Sequence, residues 1–88
     1  MKLLGASAAS TQNNQSLDNA TAIAVTTTAV TLISIIDNTG AEGATDGTAV
    51  GTISLPANQV HIIQKDADQF IKASTTNAKY TKVALGII

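Results

Sequence analysis

Cysteine is absent from this chain, so neither a disulfide nor a thiolate metal site can brace it. Tryptophan is absent too, and phenylalanine and tyrosine occur once each. Aromatic side chains normally bring the largest buried areas to a core, so an interior assembled from Ala, Val and Ile is thin. Arginine is missing, charged residues make up 12% of the chain, and the formal net charge is −1. Binding a nucleic-acid backbone needs clustered cations, and there are none. No apolar run approaches the roughly 20 residues that cross a bilayer as a helix. Met1-Lys2-Leu3-Leu4 breaks off at Gly5-Ala6-Ser7, short of the roughly 7–15 apolar residues of a secretory signal. Synthesis in the cytoplasm without membrane targeting is therefore the expectation.

Small domains with weak cores are completed by disulfides, metals or partner subunits. With disulfides and thiolate sites removed, an 88-residue chain is expected to lean on protein neighbours, further copies of itself included. The pattern of what is present is that of strands. Residues 20–36 are rich in Thr, Val and Ile, which pack well on pleated surfaces and disfavour helix. Two strands, near 21–27 and 29–36, fit better than one long one. In the second, both faces carry apolar residues, as in a central strand. From Ile53 to Ser74 short apolar runs alternate with tight turns at Pro56-Ala57-Asn58 and Lys65-Asp66-Ala67-Asp68. Loops this short favour antiparallel neighbours, and the stretch reads as a three-stranded meander. A last strand follows within 78–88. The expected fold is all-β, a small antiparallel β-sandwich or barrel-like module of about 5–7 strands spanning 20–88.

Residues 1–19 differ in composition, being dominated by Ala, Ser, Asn and Gln. Such a segment cannot bury enough apolar surface to fold by itself. It is expected to be a disordered terminus, or an extended arm ordered on a neighbouring subunit with Leu3, Leu4 and Leu17 as anchors. On the second reading, trimming 1–19 leaves the sheet folded and abolishes attachment. Residues 37–50 hold glycines among Asp37, Glu42 and Asp46. A mobile contact loop is one reading and a calcium site another, although the spacing is not that of an EF-hand. The terminal Ile87 and Ile88 are expected to be buried, in this domain or against a neighbour. Leu3, Leu4, Leu17, Asp37, Glu42, Asp46, Ile87 and Ile88 are thus the candidate partner-binding residues.

Catalysis finds no footing. His61 is the only histidine, and no second His or Cys exists to join it at a metal or a nucleophile. Asp66 and Asp68 are better explained by turn formation than as an acid–base pair. No phosphate-cradling loop is present, and only Phe70 and Tyr80 could stack on bases or sugars. No cofactor is expected, and no enzyme activity.

The segments TTTAVTLISIIDNTG, GTISLPANQVHIIQKDADQFIKAS and AKYTKVALGII resemble small virion proteins of tailed bacteriophages, particularly those of marine bacteria and cyanobacteria. The matching positions are Leu55-Pro56-Ala57, Lys65-Asp66 and Lys82-Val83-Ala84, and the likeness covers about Thr26 to Ile88. The resemblance implies a β-sandwich or barrel-like module attached to a virion, as a head decoration (cement) protein or as a neck or tail component. It implies the major capsid protein or other virion proteins as partners, assembly in the host cytoplasm, and no active site. Two alternatives stand beside it: a baseplate or fibre-adaptor subunit, and a secreted carbohydrate- or calcium-binding module.

Overall fold

The computed structural model describes residues 1–85, and all of its regular structure is strand. The strands are β1 (Lys2–Leu3), β2 (Ala8–Ala9), β3 (Ala22–Thr26), β4 (Thr31–Ile36), β5 (Ala49–Leu55), β6 (Val60–Gln64), β7 (Phe70–Ala73) and β8 (Lys79–Ala84). They form two antiparallel sheets packed as a small β-sandwich, the class expected from the sequence. One sheet runs β1–β8–β3–β6, with β2 also on β8, and the other runs β5–β4–β7.

Period-two alternation places the core between the layers. Ile23 and Val25 of β3 cluster with Tyr80 of β8 and with Ile33, Leu55, Ile71 and Ala73 of the other sheet, all buried. Ala22 and Ala24, on the opposite face of β3, form a second small cluster with Val83. β3 is covered on both faces, which small and β-branched residues suit. β4 is central in its sheet, as its two apolar faces suggested, with Thr31 and Ile33 turned inward and Leu32 half exposed.

The 53–74 stretch is not a meander, which corrects the sequence reading. β5 lies in one sheet, β6 in the other, and β7 returns to the first. The Pro56–Gln59 turn is an arch between layers, and Thr27 holds it. The Thr27 hydroxyl donates to the Pro56 carbonyl (2.6 Å). The Thr27 N–H donates to the Gln59 carbonyl (3.0 Å), and the Asn58 N–H donates to the Thr27 carbonyl (2.8 Å). Asn58 takes the left-handed step at φ 59°. β6 therefore pairs with β3, from Ala22↔Gln64 to Thr26↔Val60. Among the described residues only β4 and β5 form a hairpin of consecutive strands, closed by residues 37–48.

Residues 1–19 are laid along the chain's own sheets. β1 and β2 pair with the outer edge of β8, at Lys2↔Ala84, Leu3↔Val83, Ala8↔Tyr80 and Ala9↔Lys79. At Ser10 the chain crosses to the other layer: its hydroxyl donates to the Thr75 carbonyl (2.8 Å) and accepts the Ala78 N–H (3.1 Å). Thr11 and Gln15 then line the outer edge of β7, whose Ala73 and Ile71 N–H groups they accept at 3.0 and 2.9 Å. The segment thus closes one flank of the sandwich. Before β3 it turns through Leu17, Asp18 and Asn19, all with φ between 55° and 60°. Three consecutive left-handed L-residues are costly. Leu17 packing on the core and an Asp18–Lys82 ion pair (2.6 Å) offset the cost.

Candidate docking surface

The 37–48 loop is shaped by its own polar groups. The Asp37 carboxylate accepts the N–H groups of Thr39 and Thr48 and the Thr39 hydroxyl. The hydroxyl bond, followed by the Thr48 N–H, holds the Asp37 carboxyl below the usual carboxylate range. Asp46 accepts the Ala41 N–H (3.0 Å), and Glu42 accepts the Ser16 N–H (2.8 Å). Asn14, fully buried, sits beneath the loop. Its amide donates to the carbonyls of Ala41 (3.1 Å) and Asp46 (2.9 Å), and its backbone exchanges bonds with Ala44 and Gly43. The loop is close-packed here: a Cβ on Gly40 would meet the Asn14 amide nitrogen at 2.8 Å, and Gly47 needs φ +98°.

The three acidic candidates therefore point at backbone donors of this chain. Among the described residues no group of three or more His, Cys, Asp or Glu side chains gathers to hold a metal ion. Each of these carboxylates has one oxygen engaged with donors of this chain, and the three do not gather to offer a calcium ion the roughly 6–8 oxygens it takes. Adding millimolar calcium is accordingly expected to leave the melting temperature unchanged, since only a ligand of the native state raises it. A calcium-dependent rise of several degrees in a thermal melt would contradict this.

Of the apolar candidates, Leu17 is half-buried against the core, whereas Leu3 and Leu4 project from the pinned arm at 64% and 52% exposure. Ile87 and Ile88 lie outside the described residues. Sequence reading passed over Val30, Leu32, Val50, Ile53, Val60 and Ile62, which are also exposed. Their only signal was apolar residues on both faces of a strand, which read as burial between layers. At the end of the sandwich where β3 begins and β8 ends, a groove of about 800 Å³ opens among Ala22, Val50, Gln64, Lys65, Val83 and Leu85. Burial holds the Lys65 amine below its ordinary pKa, partly offset by Asp68, Glu42 and Asp66.

Two inward-facing groups on the β6–β3–β8 sheet lack partners. His61 and Tyr80 are both register partners of Val25, one on each side, and neither His61 Nε2 nor the Tyr80 hydroxyl has a hydrogen bond among the described residues. A buried, unpaired hydroxyl costs free energy, so Tyr80→Phe is expected to stabilise the protein by about 1 kcal/mol. Burial also pushes the Tyr80 phenol well above the ordinary tyrosine value of 10.0. Above that pH the unfolded chain loses the phenolic proton while the folded chain keeps it, so folding stability falls as pH rises. Chemical denaturation at pH 7 and in steps above pH 10 should show the Tyr80→Phe advantage widening. A constant difference, or a destabilised variant, would count against a buried, unbonded phenol.

No protein-family model, no curated protein and no solved structure matches the chain.

Proposed function

We propose that this chain is a non-enzymatic virion structural protein of a tailed bacteriophage, a head decoration or cement protein that binds at capsid subunit junctions. One observation carries the reading. Among the described residues ten large apolar side chains are substantially exposed on a protein whose buried core numbers twelve apolar residues, four of them alanine. So many exposed apolar side chains on so small a core support contact with other proteins, as contiguous apolar patches do, and the resemblance of residues 26–88 to small phage virion proteins suggests the kind of assembly. The acidic loop is committed to internal hydrogen bonds. Attachment in this reading therefore falls to apolar contacts, with Leu3 and Leu4 presented on a strand that the body holds rigid.

The test is quantitative mass spectrometry of particles purified from the system that encodes the chain. The expected result is a fixed, high copy number relative to the major capsid protein, with occupancy lost in a Leu3→Ser/Leu4→Ser variant. A few copies per particle would assign the chain to the neck, tail, baseplate or fibre instead. Absence from particles would overturn the virion reading altogether.

A further inference from the structure

We propose that two copies of this chain join edge to edge, β5 against β5 antiparallel about a two-fold axis, extending the β5–β4–β7 sheet across both molecules. The inference goes beyond the virion reading and stands without it.

The two flanks of the sandwich are treated differently. On one, the outer edges of β8 and β7 are covered by residues 2–15 of the same chain. On the other, β5 and β6 end their sheets with no strand alongside among the described residues. The direction of the free groups on β5 follows from the ladder. The Leu32 carbonyl accepts the Ser74 N–H, so the even-numbered residues of β4 bond towards β7 and the odd-numbered ones towards β5. Ile33↔Ile53 and Thr31↔Leu55 are thus the bonded pairs. The N–H and C=O groups of Thr52 and Ser54 point outward, ready to pair.

Free edges are ordinarily defended by lysine, inward charges, proline or bulges. This flank has little such defence. From Ala49 to Gln64 the chain contains no Asp, Glu, Lys or Arg. The one irregularity on β5, between Gly51 and Ala49, leaves 51–55 regular. Lys79 and Lys82 stand on β8, whose edge is already covered. An uncharged edge meets no like-charge repulsion from its own copy and offers nothing to a charged partner.

The sequence of β5 is also self-complementary. Pairing Thr52 with Ser54 of the second copy sets Ile53 opposite Ile53 on the axis and Gly51 opposite Leu55. Ile53 shares the inward face with Leu55, yet it remains 49% exposed where Leu55 is 1% exposed. A strand alongside would cover it, and the space beside Gly51 is open, with nothing within 4 Å of a Cβ placed there. β6 is shorter, five residues against seven, and borders the same seam in the other layer. Five paired residues, 51–55, at about 3.4 Å across a sandwich about 20 Å thick give roughly 350 Å² per copy, or about 700 Å² in all, the size of a weak contact that fills only at high concentration.

The experiment is sedimentation and light scattering of the full chain across a concentration series, with amide hydrogen exchange on the same samples. The expected mass at high micromolar concentration is twice the 8.9 kDa of one chain, with the Thr52 and Ser54 amides protected as the dimer fills. Thr52→Pro removes an outward N–H that β4 does not use, and Ser54→Lys places charges across the seam. Both are expected to give the single-chain mass with an unchanged far-ultraviolet spectrum. A wild-type chain that stays at 8.9 kDa, or a dimer in which the Thr52 and Ser54 amides exchange freely, overturns the proposal. So does a dimer that survives both substitutions and is lost only in Ile62→Lys on β6. The exchange measurement needs no variant, so a misfolded mutant does not shelter the idea.

Discussion

Removal of residues 1–16 is expected to leave a chain that no longer unfolds cooperatively. The deletion strips backbone bonds made at Leu4, Ser10, Thr11, Asn14 and Gln15, each contributing about 0.5–1.5 kcal/mol. A domain of this size has about 5–10 kcal/mol of stability in total, so the loss is of the same order as the whole. It also bares the edges of β7 and β8, and unpaired edges invite aggregation. Circular dichroism through a thermal ramp, with light scattering alongside, checks it. A truncated protein that melts sharply within a few degrees of the parent would show that the arm is dispensable. The expectation differs from that of an arm ordered on a neighbouring subunit, a sheet that stays folded without 1–19, because the arm's partners lie on this chain.

Asn14→Ala is expected to cost about 2–4 kcal/mol, a fall of about 10–20 °C in melting temperature for a domain of this length. The side chain is fully buried and its amide satisfies two loop carbonyls, those of Ala41 and Asp46. Truncation leaves both unpaired and opens a void under Gly40, which packs on that amide. Asn13→Ala, one residue away and exposed, is the control and is expected to change stability by less than about 0.5 kcal/mol. Equal effects of the two substitutions in denaturant titrations would remove Asn14 from its role as the pin between arm and loop.

Strands were legible in the sequence and their partners were not. β3, β4, β6 and β8 form close to where β-branched residues and alternation placed them, because a pleated surface selects those residues locally. The sheet to which each strand belongs is decided at a distance. The Pro56–Gln59 corner looks like any tight turn, and it becomes an arch because Thr27, 29 residues from Pro56, bonds it. The arm misled for a related reason. Ser10, Asn14 and Gln15 read as solvent-loving in a window of neighbours, yet each finds backbone partners 27 to 65 residues or more away. The acidic loop had the composition of an ion site, and only the geometry assigns Asp37 and Asp46 to N–H groups of the loop and Glu42 to that of Ser16 in the arm.

The pairing of β1 with β8 has a consequence for biosynthesis. β1 waits for β8, because Lys2 cannot settle until Ala84 has emerged from the exit tunnel. Connections so remote in sequence make for slow acquisition of structure, and a nascent chain with unsatisfied borders is the vulnerable species. In a crowded translating cell the sandwich closes only once β8 is free, so a chaperone that shields the earlier strands would act during that interval.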